Sequence, residues 1–371
     1  MSFQMKHISL LRTILALIIL MVNGQWSTVN GQKLEWNLSA EGYFDNGEGD
    51  DTYRTPMTYS GLRITPELGV SWDEGKHSLM GGYSGLTEWG VKHGFTDGIP
   101  VLYYRYQTKP LTFTFGSFKR DKLLGDYPSY LMSDTIRYYR PIMQGFAFQH
   151  QHNRGYVEAF LDWTGMRSNT DREQFMVGLS VKHAIGKLAN DVVFPTYSSK
   201  FYVGVEGYYY HYALTWQADA KQHIHDYLVA HPFVGYQLQS LTTDAFVDVK
   251  LGALMSFDRE RHIDNGKHTP IGFLGEVDAK YKRWYLMETV YAGGHQLPFG
   301  KRFFGQYYWG DTYYHASAYS RTDVKFQFIR HKWVDAFVGA IFHVTQKGLN
   351  WHQMLTLRVN LGSQQGTKLK L

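Results

Sequence analysis

Apolar and polar residues alternate along most of this chain. From Lys33 to Phe44, one side carries Leu34, Trp36, Leu38, Ala40, Gly42 and Phe44, and the other carries Lys33, Glu35, Asn37, Ser39, Glu41 and Tyr43. A period of two is that of an extended strand with one greasy and one wet face. Trp351 to Leu361 repeats the pattern, with Trp351, Leu355, Leu357, Val359 and Leu361 against His352, Thr356, Arg358 and Asn360. Between them the same alternation predicts strands over 61–72, 77–86, 101–107, 111–118, 141–151, 156–164, 175–182, 201–212, 232–238, 245–257, 271–281, 284–292, 321–329 and 334–344. Pro66 interrupts the second segment. It lacks a ladder donor, so a bulge or an end-of-barrel position is expected there.

The connections are as informative as the strands. The long ones, 45–60, 87–100, 119–135, 165–174, 213–227, 258–268 and 293–320, each follow an odd-numbered segment. Short turns such as Asp73-Glu74-Gly75-Lys76 and Lys282-Arg283 follow most of the even-numbered ones, the long connection 183–200 being the exception. Long loops at one end and tight turns at the other predict an all-β fold: a transmembrane, antiparallel, up-and-down β-barrel of about 16 strands.

The N-terminus is different. Lys6 and Arg12 precede the apolar run Thr13 to Val22, which is too short to span a bilayer as a helix. It predicts a signal peptide over residues 1–31, cleaved near 24 or 31, and leaves 32–371 as one barrel domain. The formal charge of +5 becomes +3 without Lys6 and Arg12. The remaining basic residues are dispersed among carboxylates, so no nucleic acid is expected as a partner. There is no cysteine, which excludes disulfides and thiolate metal sites.

The leader, the alternation and the aromatic residues near strand ends (Trp36, Phe44, Trp72, Trp163, Trp284 and Trp351) together resemble porin-like outer-membrane β-barrel proteins of Gram-negative bacteria. The chain departs from the commonest pattern by ending in Leu371 after a polar tail, without a terminal aromatic. The resemblance implies a cell outer membrane location and passive diffusion of small polar solutes or oligosaccharides. It implies outer-membrane lipids and lipopolysaccharide as surroundings, and the barrel-assembly machinery as a partner in biogenesis. No cofactor, no metal and no covalent chemistry are expected of such a channel, so the chain is not expected to be an enzyme.

Selection in such a channel is made by its lining. Arg63, Arg105, Glu158, Asp162, Lys250, Arg321, Lys325 and Arg358 fall on the polar face and are the lumen or constriction candidates. Mixed signs predict weak charge selectivity in an open pore, or else cross-strand pairs that fill the lumen. The connection 293–320 carries Phe304, Tyr307, Tyr308, Trp309, Tyr313 and Tyr314, an aromatic load unusual for a solvated loop. It is expected to fold inward or pack on the rim, as a plug or lid or as a stacking path for saccharides that Tyr202, Tyr208 and Tyr210 extend.

Lys119, Arg120 and Lys122 with Arg137 and Arg140 make 119–135 basic, a contact for lipopolysaccharide phosphates or simply a solvated face. Two alternatives to the channel remain. One is a non-conducting surface receptor or adhesin. The other is an outer-membrane lipid hydrolase of deacylase or phospholipase type, because His315-Ala316-Ser317 looks like the His-x-Ser spacing of lipid A deacylases. No Glu follows Glu288, so that pattern lacks its downstream acidic partner. His223 with His225, and His150 with His152, fall short of the three or four ligands a metal site needs. The acidic loop 45–51 has no ordered Ca²⁺ ligand spacing.

Overall fold

A computed structural model describes residues 31–363 apart from 51, 93, 187–196, 219–220 and 300–304. The expected signal peptide, the C-terminal tail after Ser363 and Phe304 lie outside the described residues. The wall consists of β1 (Lys33–Gly49), β2 (Thr58–Trp72), β3 (His77–Glu88), β4 (Asp97–Gln107), β5 (Leu111–Lys119), β6 (Ile142–His152), β7 (Gly155–Gly165) and β8 (Gln174–Ile185). It continues through β9 (Tyr197–Tyr212), β10 (His225–Ser240), β11 (Ala245–Glu260), β13 (Ile271–Tyr281), β14 (Trp284–Gly293), β15 (Ala318–Arg330), β16 (Val334–Thr345) and β17 (Gly348–Gly362). The two-residue β12 (Lys267–His268) only extends the edge of β11.

Each strand pairs antiparallel with the next, and β1 pairs β17 from Asn37↔Gly362 to Gly49↔Asn350. The sheet therefore closes as a barrel of 16 wall strands, with no free edge.

The alternation read from sequence is the division between wall faces. Leu102, Phe115 and Phe201 are 61%, 59% and 64% exposed on the outside, while Glu67, Glu158 and Arg321 are no more than 2% exposed on the inside. Pro66 corrects one expectation. It lies in mid-strand opposite Leu38, and the β2–β3 register holds across it from Ile64↔Gly85 to Glu67↔Gly82. Proline's fixed φ suits an extended chain, so the ladder loses a rung without gaining a residue. Register shifts occur instead at Gln327/Ile329 and Trp163/Gly165.

Loop lengths segregate between the two ends. The connections after β1, β3, β5, β7, β9, β11 and β14 lie at one end, where the two-residue turn after β16 is the exception, and those after β2, β4, β6, β10, β13 and β15 form short turns at the other. Two of the long connections, 120–141 and the described residues of 294–317, pack into the lumen. The first includes a short helix α1 (Asp134–Tyr139). Ser133 N–H, just before α1, donates to the carbonyl of Trp309 at 2.7 Å. A Cβ on Gly310 would come within 2.4 Å of the Tyr130 carbonyl, so only glycine lets the two loops touch there.

Candidate functional site

The plug formed by these loops has an aromatic interior. Tyr307, Tyr308, Trp309, Tyr313 and Tyr314 are at most 1% exposed, and they join Tyr127, Tyr130, Leu131 and Ile136 in one core with Tyr208, Tyr210, Tyr227, Tyr291 and Tyr319 of the wall. Tyr313 stacks on the hydrogen-bonded pair His343 and Tyr319, at 4.3 and 5.3 Å between ring centroids. Rings with essentially no exposed surface have no face left for a sugar. Tyr202, Tyr208 and Tyr210 are likewise buried, which corrects the saccharide path.

All eight lumen candidates face inward, and each is held by a partner. Arg63 donates to Ser84 and Asp97 of the wall and to the Tyr138 carbonyl of α1, all at 3.2 Å. Glu158 staples the first plug loop, accepting from Leu124 N–H, Gly125 N–H and the Tyr127 hydroxyl, as well as from Gln149. Asp162 receives Arg120, and Arg321 bridges Asp323 at 2.6 Å and Asp134 of α1 at 2.9 Å. Lys325 reaches Asp323 at 3.1 Å, Arg358 reaches Glu41 at 2.8 Å, and Arg105 reaches Glu35 at 3.8 Å. These charges tie wall to wall and wall to plug. They do not ring an aperture.

Burial alone would raise the Asp134 carboxyl, yet Arg321, Arg137, Lys325 and Arg54 around it hold it well below the usual carboxylate range. Burial, then Glu206 and Glu276, push the Tyr130 phenol well above its ordinary value. The Tyr130 hydroxyl donates to Glu206, lies 2.7 Å from His231 Nδ1 and 3.2 Å from Glu276. Glu206, His231 and Glu276 have ligand atoms within 4.8 Å of one another, as a metal site requires. Lys250 supplies the cation there: its Nζ lies 2.9 Å from Glu276 and 3.6 Å from Glu206.

The basic loop also turns inward. Arg120 and Arg140 lie 4.9 and 5.5 Å from the Trp309 ring, so they serve the plug and not lipopolysaccharide phosphate. Beneath the plug, a cavity of about 1120 Å³ reaches the short-turn end, lined by Glu35, Glu67, Tyr103, Arg105, Lys280 and Asp335 among others.

A second polar cluster lies on the opposite side of the wall. Tyr209 and His211 share the outer face of β9 with Phe201, Val203 and Val205, and Asp226 shares that of β10 with Leu228 and Val234. Register brings Asp226 opposite His211 on one side and Arg259 on the other, all at the long-loop end. His211 Nδ1 lies 2.9 Å from Asp226 Oδ1, and the Tyr209 hydroxyl donates to the same oxygen at 2.7 Å. Arg261, just beyond β11, grips Asp226 from Nε and Nη2 at 2.5 and 2.9 Å. Phe175 packs 5.1 Å from the imidazole and 5.5 Å from Trp163, so an aromatic belt surrounds the pair.

A histidine oriented by a carboxylate through Nδ1 leaves Nε2 available as a general base. Sequence reasoning paired His223 with His225 and missed both Asp226 and His211, fifteen residues apart along the chain. His225 faces the lumen, fully buried, beside Tyr307 and Glu260. His150, His152 and His183 line up at the short-turn end, 6.0 and 5.4 Å between successive rings.

His315 and Ser317 are both at the long-loop rim but do not form a pair. His315 Nδ1 lies 2.9 Å from the Gln296 carbonyl, its ring is 5.4 Å from that of His295, and Ser317 Oγ hydrogen-bonds the Gln346 side chain at 2.6 Å.

A closed, tight-turned barrel with an apolar exterior and aromatic belts is an outer-membrane β-barrel protein. A profile of the Lipid A 3'-O-deacylase-type family matches residues 26–364, and the chain belongs to that family. No curated protein matches it. Among solved structures it is similar to Acinetobacter baumannii OccAB1, at 10% identity and a TM-score of 0.50 over 89% of this chain and 97% of that one. It is also similar to a loop L8 deletion mutant of OmpT, an outer membrane protein of Vibrio cholerae, at 11% identity and a TM-score of 0.49 over 90% and 100%. At 10% identity the likeness to OccAB1 is one of fold. The family is named for an enzymatic function, and that overturns the expectation of a barrel without covalent chemistry.

Proposed function

We propose that this protein is an outer-membrane hydrolase that removes an acyl chain from a lipid A-type glycolipid, working on the bilayer side of its wall. Residues 1–31 act as its export leader, and the barrel-assembly machinery inserts it. The observation that carries the reading is the His211–Asp226 pair, a base and its orienting carboxylate on the lipid-facing rim of a chain in a deacylase-type family. The long-loop end is the cell-surface end in barrels of this kind, so the pair lies where outer-leaflet ester groups lie.

In the proposed step, His211 Nε2 takes a proton from water as the water oxygen attacks the ester carbonyl. The same proton then passes to the departing alkoxide, giving a fatty acid and an alcohol. Asp226 holds the Nδ1 proton and stabilises the imidazolium that forms. Tyr209 and Arg261 fix the carboxylate. Arg259 and Lys267, paired across the β11–β12 edge, supply positive charge beside it for phosphate groups.

The test is mass spectrometry of lipid A after incubating lipopolysaccharide with the purified, folded barrel. Loss of one acyl chain is expected, abolished in His211→Ala and retained in Ser317→Ala. Full activity in His211→Ala overturns the assignment. Transport through the lumen would require both inward loops to leave, and nothing in their packing favours that.

A further inference from the structure

On the outer face of β14, the sequence Trp284, Leu286, Glu288, Val290, Ala292 places a carboxylate among apolar residues. Leu286 and Val290 on either side are each 43% exposed, and Trp284 is 55% exposed. Glu288 stands opposite Thr322 of β15 and Val277 of β13. Both of its oxygens are engaged: Ser320 Oγ donates to Oε1 at 2.7 Å and Thr322 Oγ1 to Oε2 at 2.5 Å.

Among the described residues, every other Asp, Glu, Lys or Arg on the outer face lies within two residues of a strand end, as Glu48, Asp226 and Arg259 do. Glu288 is four residues from Trp284 and five from Gly293. At about 3.3 Å per residue and a tilt of about 40°, it stands roughly 10 Å above the tryptophan belt, near the middle of an apolar band about 25 Å tall.

A carboxylate at that depth is expensive and marks a functional contact. Its two hydroxyl partners are neutral, and each has spent its only proton. Lipids place their cationic and donor groups at the headgroups, not at mid-depth. A second copy of this chain offers no basic side chain on its described outer wall at this level.

We infer that the β14–β15 outer face around Glu288 docks a different membrane-spanning protein that presents a lysine or arginine side chain to Glu288. Ala292 and Ala318, paired four residues further along the same outer face and both small and exposed, let such a partner's backbone come close there.

Two measurements test this. A hydrophobic carbodiimide should modify Glu288 in the purified barrel in detergent, whereas in native outer membranes it should be protected at least tenfold. Equal labelling in both overturns the inference. The chain has no cysteine, so Val290→Cys carrying a photoactivatable maleimide reports what lies beside Glu288. The expected product is one heterologous adduct whose captured peptide is a membrane-spanning segment with a Lys or Arg. It should fall at least tenfold in Val290→Cys/Glu288→Gln and be absent for Leu102→Cys elsewhere on the wall. Capture of a second copy, or capture unchanged by Glu288→Gln, overturns it.

Discussion

The inner and outer faces of this wall use the same side chains for opposite ends. Inside, Arg63, Glu158, Asp162 and Arg321 are buried and matched to partners on the plug, so their charge is spent on fixing two loops. Outside, His211 and Asp226 are also matched to each other through Nδ1, and the other imidazole nitrogen is the atom that the proposed hydrolysis uses. Titratable groups therefore do not mark a reaction site by number. They mark it by whether an atom remains uncommitted where a substrate can reach it.

The sharpest way to break that contrast is on the outside. His211→Ala should lower deacylation about 10²- to 10⁴-fold, the range of a general base, with the barrel still folded. Asp226→Asn should cost somewhat less, because the imidazole stays in place without its anionic partner. Both are read by lipid A mass spectrometry, and unchanged rates would place the chemistry elsewhere.

On the inside, Arg321→Met takes away the one cation that bridges Asp134 and Asp323, leaving Lys325 as the remaining ion-pair partner of buried Asp323. A loss of about 3–5 kcal/mol is expected, measured as a lower urea midpoint in detergent, with acyl hydrolysis by the folded fraction unchanged. Glu158→Ala orphans the backbone donors of Leu124 and Gly125, at about 1–3 kcal/mol for each buried donor. Planar bilayers should show no conductance steps for the wild type and intermittent steps for this variant as the first plug loop loosens.

The smallest effect is that of pH. Asp134 is depressed in the folded state, so its contribution is fully present above its unfolded value of about 3.9 and is lost as pH falls through its folded value. Conductance should therefore stay absent from neutral pH down to about pH 5, and plug release should begin only in stronger acid. Opening near pH 6 would show that another group governs the plug.

Much of the fold was legible because a barrel wall obeys a strict period. Every predicted segment is a strand, usually extended by a few residues at the long-loop end, as β1 is beyond Phe44 and β10 is before Pro232. The inward fold of 293–320 could also be read, since so many rings cannot remain in water. The rim pair could not be read locally. His211 and Asp226 meet only through the β9–β10 register, which the intervening loop sets and no motif encodes. Glu288 was visible in principle, because its parity with Leu286 and Val290 already places it outside. His315-Ala316-Ser317 shows the converse: its spacing looked chemical, but a turn directs the two side chains to different partners.

The seam between β1 and β17 has a consequence for synthesis. It joins Leu38 to Leu361, nearly the full length of the described chain, so this rung cannot form until the last strand has been made. Contacts so distant along the chain are slow to nucleate. A product truncated before β17 would present two unpaired sheet edges instead of a closed ring, and such edges recruit other strands. Closure thus acts as proofreading for length: a complete polypeptide seals itself, and an incomplete one is left adhesive and open to degradation.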